Sequence, residues 1–169
     1  LWALTQLGKS LNKLINEKRI IEILNEFSTT FHLSLKRHFC WRIGIQDIDA
    51  KSLSEIMNVL LNESEKHKIE FASFFYDFFG GKEAVIDCLK TNYGNKYKVE
   101  GFLKITDILK DSQSSKGALE KRKLINKNRE NMLIDEVEQI WEEINKNDNW
   151  KLLEKKISKV RKLGDTLES

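Results

Sequence analysis

The side chains best suited to chemistry in this sequence are three histidines (His32, His38, His67), two cysteines (Cys40, Cys88) and a close acidic pair, Asp47 and Asp49. His38 and Cys40 are two apart in a helical stretch and so face different directions. No His or Cys spacing matches a zinc site, and no visible context lowers a thiol pKa for nucleophilic attack. Asp47 and Asp49 lack the further oxygen ligands of a calcium loop. Gly80-Gly81 lacks the Lys-Ser/Thr of a phosphate-binding loop. No set of residues reads as catalytic, and no metal or cofactor site is expected from these residues.

The basic residues form a second candidate. Lys116, Lys121, Arg122, Lys123, Lys127 and Arg129 crowd one segment, and Lys151, Lys155, Lys159 and Lys162 recur at spacings of four, four and three. With Trp141 and Trp150 nearby to stack on bases, Lys121, Arg122, Lys123, Lys151, Lys155 and Lys159 are the candidate contacts to nucleic acid or another partner. Glu120, Glu130, Glu154 and the acidic run Asp135–Glu143 interrupt that field. The competing reading is a solvated face packed on the acidic helix.

A chain of 169 residues with 40% hydrophobic and 33% charged residues is one ordinary domain with a heavily charged surface. A net charge of +3 is too small to imply nucleic acid on its own. Cys40 and Cys88 sit in apolar helical patterns, which predicts buried free thiols and fits a reducing, cytosolic setting. No apolar run is long enough for a membrane span. The chain opens at Leu1, already inside a helical pattern, which suggests a piece of a longer polypeptide.

Helical periodicity runs through the whole chain, and no strand pair with a hairpin turn is visible. Leu4, Leu7, Leu11 and Leu14 mark a first helix, where Gly8 permits close approach of a neighbour. Ile20–Gly44 carries Leu24, Phe27, Phe31, Leu35 and Phe39 on one face, ends at a glycine, and at about 35 Å would span the domain. The next helix opens at Ser52/Glu55, a capping-box spacing, or at Asp49. Phe71, Phe74, Phe75, Phe78 and Phe79 predict a deeply buried helix closed by Gly80-Gly81. Helices follow over 82–90, 97–109 and 119–127, with a mobile loop at 111–117. Met132 to Ile144 form another, and the last starts at Trp150 and ends near Gly164. The expected fold is all-α, an irregular domain of roughly seven to nine helices spanning residues 1–169.

Trp2-x-Leu4-x-x-Leu7 followed by Leu11 resembles the C-terminal part of the SelO (selenoprotein O) family, pseudokinase-fold enzymes that transfer AMP from ATP onto protein hydroxyls. There a W-x-L-x-x-L-A helix follows the kinase-like core. The next helix ends in a Lys-Leu-Gly-Leu-like tetrapeptide, which Arg42-Ile43-Gly44-Ile45 resembles. The family's Asp-Tyr/Phe-x-x-x-Phe-Arg-x-Leu segment is similar to Glu70–Phe78, with Tyr76 in place of the arginine. Asn128-Arg129, Leu133-Ile134-Asp135, Asp148 and Leu152-Leu153 fall where the family has Asn-Pro, Leu-Arg-Asn, an Asp and a Leu-Leu helix.

The resemblance implies a C-terminal helical region whose partner is a kinase-like core lying before Leu1 in the same polypeptide. In the full-length family that core holds ATP and a divalent metal. Neither its glycine-rich loop nor its lysine–glutamate pair nor its metal-binding aspartate is recognisable here, so this chain alone is expected to be inert. The family's C-terminal cysteine role is not carried over, because neither Cys40 nor Cys88 lies at the extreme C-terminus. The alternative reading is a freestanding helical interaction module that touches nucleic acid through the basic stripe.

Overall fold

The computed structural model describes residues 2–168, and the regular elements among them are all helices, with no strand beyond one isolated bridge. Helix α1 (Trp2–Leu11) folds back on α2 (Glu17–Ile43), whose first turn is capped by Asn16 accepting from the Lys18 amide. A Cβ on Gly8 would lie 2.7 Å from the Ile20 side chain, so the glycine lets the two helices touch. At the far end of α2, Gly44 adopts φ +69°, the left-handed conformation that closes a helix.

Helix α3 (Ala50–Glu63) starts at Asp49, whose carboxylate accepts from the amides of Lys51 and Ser52, so Asp49 and not Ser52 is the cap. Helix α4 (Phe71–Asp77) is short, and the chain behind it turns through Gly80 and Gly81 into α5 (Lys82–Lys90). The expected helix over 97–109 divides in two. Residues Asn92–Tyr97 form a 3-10 helix that ends on the buried Tyr97, and α6 runs over Glu100–Lys110. Helices α7 (Ala118–Lys127), α8 (Ile134–Asn147) and α9 (Lys151–Glu168) complete the chain. Helix α9 continues through Gly164 to Glu168, because a single helical glycine costs only about 1 kcal/mol.

The long helix is not the centre of the body. Of its predicted face only Phe39 joins Cys40 and Ile43 as buried residues, while Phe27 and Phe31 stand 38% and 50% exposed. The cause is length: α1, about 15 Å long, covers less than half of α2, which is about 40 Å. The body reaches α2 only over its last turns.

The centre falls instead to the segment 74–79. Phe74, Phe75 and Phe78 belong to a large cluster with Ile43, Leu53, Ile56, Leu60, Val85, Tyr97, Phe102, Ile105 and Leu109. Tyr76 and Phe79 belong to a second cluster with Ala118, Ile125, Leu163 and Leu167. Rings pack through this centre, edge-on from Phe71 to Phe75 to Phe39 and tilted from Phe78 to Tyr97 to Phe102. Phe71, expected deep in the core, is 43% exposed, because it falls off the side of its helix that meets the body.

The loop 111–117 is pinned. Gln46 donates its amide to the Gln113 carbonyl and Ser115 donates to the Gly44 carbonyl. The Ser114 hydroxyl donates to the Gly80 carbonyl at 2.6 Å and contacts Glu83 at 2.8 Å. These bonds tie the loop to the end of α2 and the start of α5.

Candidate functional site

The most concentrated chemistry in the structure surrounds Asp77, at the end of α4. Its carboxylate is buried, and Tyr97 donates its hydroxyl to Oδ2 at 2.5 Å. Lys96 lies 3.0 Å from the same oxygen. Oδ1 lies 2.7 Å from Arg129 Nη1, an ion contact out of line for a hydrogen bond. Burial pushes the Tyr97 hydroxyl far up, and the Asp77 charge pushes it further, so it stays a donor. Burial works against the Arg129 charge, but Asp77 outweighs it and holds the guanidinium charged. Held by Tyr97, Lys96 and Arg129, the buried Asp77 ties the end of α4 to the 3-10 helix and to the residues after α7.

Tyr76 stands where the family pattern has arginine. Its hydroxyl donates to the Glu130 carbonyl at 2.5 Å and accepts from the Glu130 amide at 3.2 Å. Arg42 and Arg129 lie 4.6 and 5.4 Å from its ring centroid. One Arg42 nitrogen is buried without a hydrogen-bond partner, and burial lowers the pKa of that side chain.

A second ionic centre joins α9 to the segment before α8. Lys156, only 5% exposed, donates to Glu130, to the Asn131 carbonyl and to Glu136. Lys159 lies 2.9 Å from the other Glu130 oxygen. Burial opposes both charges. The lysines nevertheless hold the Glu130 carboxyl below its ordinary range, and Glu130 and Glu136 hold Lys156 above its own.

Three of the six predicted contact residues are engaged within the chain. Lys121 is half-buried and donates to the Leu167 carbonyl at 3.3 Å. Arg122 reaches Asp87 at 2.9 Å and the Ala84 carbonyl at 3.4 Å. Lys123 is exposed on α7, Lys151 and Lys155 are exposed on α9, and Lys159 is spent on Glu130. Sequence reasoning passed over Lys156, Asp77 and Tyr97. The signal for Lys156 was present, since it lies on the apolar side of α9 with Leu152, Leu163 and Leu167.

The surface carries large apolar areas. Along α2, Ile23, Phe27 and Phe31 are exposed at spacings of four, and Trp2, Leu7 and Leu14 are exposed in α1 and the turn after it. The rings of Phe27 and Phe31 stack on each other at 5.9 Å. A second area lies on α8 and α9, with Ile134, Val137, Trp141, Trp150, Ile157 and Val160. No helix among the described residues is long and apolar enough to cross a membrane.

An open cleft is lined by Asp47, Asp49, Asp107 and Asp111. Asp47 is paired with Lys36 at 2.7 Å, Asp49 caps α3, and Asp107 is paired with Lys110. Among the described residues no three His, Cys, Asp or Glu side chains converge as a metal-ligand group. This donor set does not fit a metal–nucleotide pair.

The fold and its surface define a helical scaffold with two internal ionic anchors and wide apolar faces. The family model of protein adenylyltransferase SelO matches residues 1–161, and the chain belongs to the SelO family. No curated protein and no solved structure matches the chain.

Proposed function

We propose that this chain is the C-terminal helical region of a SelO-like protein adenylyltransferase, non-catalytic by itself, that braces a kinase-like core of the same polypeptide. The observation that carries the reading is the exposed apolar face of the α1–α2 hairpin on a chain of this family. A row of Ile23, Phe27 and Phe31 along one helix, with Trp2 and Leu7 exposed on α1, is the kind of surface that folded proteins cover. In the family order the helix resembling α1 comes directly after the core, so the core is the body nearest that row. ATP and the divalent metal belong to the core in this reading, and the protein acts in the cytoplasm. The pinned loop at 111–117 and the anchors at Asp77 and Glu130 supply the rigidity a brace needs.

The experiment is to place Phe27→Ser and Phe31→Ser in the polypeptide that includes the residues preceding Leu1. Loss of AMP transfer and of core protection from protease, with the helical region itself still folded, supports the brace. Unchanged activity and protection contradict it.

The weaker reading is nucleic-acid contact through the basic stripe, for which Lys123, Lys151 and Lys155 of the six candidate contacts stand exposed without an ion-pair partner among the described residues. It predicts salt-sensitive DNA or RNA binding that weakens when Lys151, Lys155 and Lys159 become Ala, and flat titrations at low salt remove it.

A further inference from the structure

Helices α8 and α9 form a hairpin joined through Asp148, Asn149 and Trp150. Helix α8 packs on α9 through Ile140, and Lys156 reaches Glu136 across the pair. Helical spacing places Ile134, Val137 and Trp141 on one shoulder of α8, and Trp150, Leu153, Ile157 and Val160 on one shoulder of α9. In an antiparallel pair these two shoulders fall on the same side of the hairpin. The opposite side is a charged groove lined by Glu136, Gln139, Lys155 and Lys159.

One side of the hairpin is therefore apolar across both helices and uncovered, with Trp141 64% and Ile134 75% exposed. The six exposed side chains leave on the order of 600 Å² open, near the roughly 800 Å² per partner of a standard interface. The charges beside them are segregated. Helix α8 carries Asp135, Glu136, Glu138, Glu142 and Glu143 against Lys146 alone. Helix α9 carries Lys151, Lys155, Lys156, Lys159, Arg161 and Lys162 against Glu154, Asp165 and Glu168.

We propose that this face pairs with the same face of a second copy of the chain, making a four-helix bundle across a two-fold axis. The charges select the arrangement. Helix α8 on α8 of the second copy would oppose acid to acid. An axis running along the helices instead sets α8 of each copy on α9 of the other, acid on base, with every neighbouring pair antiparallel. That arrangement brings the Glu138 rim of one copy over the Arg161 rim of the other. Glu138 borders Ile134 and Trp141, and Arg161 borders Ile157, so both rims flank the apolar strip. The pairing is independent of any docking of the α1–α2 hairpin on a core.

The test is sedimentation equilibrium of the chain across the micromolar range, with helicity followed by circular dichroism as the folding control. The mass rises from 19.8 kDa toward twice that value with concentration. Glu138→Arg and Arg161→Glu each weaken association about tenfold, since each sets like charges at two symmetry-related contacts. Mixing the two variants restores it, because the mixed dimer pairs opposite charges at both contacts. Val137→Glu removes association while helicity is retained. A chain that stays at its monomer mass at every concentration overturns the proposal and leaves the face to the core. A dimer that Val137→Glu leaves intact, or that Phe27→Ser abolishes, also overturns it by placing the contact elsewhere. Failure of the mixture to restore association rules out α8 lying on α9.

Discussion

Tyr97 donates its hydroxyl to Asp77 at 2.5 Å, and the two side chains come from elements twenty residues apart that are both buried. The bond fixes the 3-10 helix against the end of α4. A hydrogen bond to a buried charge contributes about 1.5–3 kcal/mol, so Tyr97→Phe should lower the unfolding free energy by that amount in urea titration. Asp77→Ala, which strands Lys96 and Arg129 beside a vacated anchor, should cost about 3–5 kcal/mol. If the two substitutions are additive in a double-mutant cycle, the coupling is absent.

Lys156→Met leaves Glu130 half-stripped of its partners in a site where its side chain is only 12% exposed. The single variant should be strongly destabilised. The pair Lys156→Met with Glu130→Gln should recover part of the loss, since it removes the uncompensated charge. The native pairing has a defined pH window. Glu130 is held below its ordinary value of 4.5, so its contribution is present above that pH and is lost as the pH falls through the folded value. Lys156 is held above 10.5, so its contribution is present below that pH and is lost only as the pH rises through the folded value. Acid titration of the wild type should show a drop below about pH 4.5 that the double variant lacks.

Gly44 and Gly94 should both resist substitution, for different reasons. Gly44 has φ +69°, and a Cβ there would lie 2.9 Å from the Phe79 ring. Gly44→Ala should cost upwards of about 1 kcal/mol. Gly94 has no left-handed backbone, but a Cβ would lie 2.1 Å from the Cys88 carbonyl oxygen, which is backbone and cannot step aside. Gly94→Ala should be the more damaging, as thermal denaturation of the two variants will show.

Cys40 and Cys88 should react slowly with thiol reagents at neutral pH. Both are buried, and burial pushes their thiols up, Cys88 to about 11 with Asp77 adding to the shift. Modification should follow the rate of unfolding and accelerate in denaturant. Rapid labelling of the folded chain would contradict this packing.

The all-α class, most helix bounds and the close approach at Gly8 were legible because periodicity and glycine placement are local signals. The burial of α2 was not. Phe27 and Phe31 have the same spacing as Phe39, and nothing local tells that the helices packing against them run out of length. The division of 97–109 was half visible, since Tyr97, Val99 and Gly101 alternate, but the helical period of Phe102, Ile105, Ile108 and Leu109 was extended back over them. The basic stripe was visible as a spacing of lysines, but the decisive one, Lys156, is off that spacing and on the apolar side. The Asp77 anchor draws on residues 77, 96, 97 and 129, and only the folded chain brings those together.

In the proposed role, this helical region serves a catalytic core and does no chemistry of its own. The most direct test of that role is AMP transfer from α-labelled ATP with magnesium, run on this chain and on the longer polypeptide read in frame upstream of Leu1. Label is expected on protein only with the longer polypeptide. Label transferred by residues 1–169 alone would contradict that role.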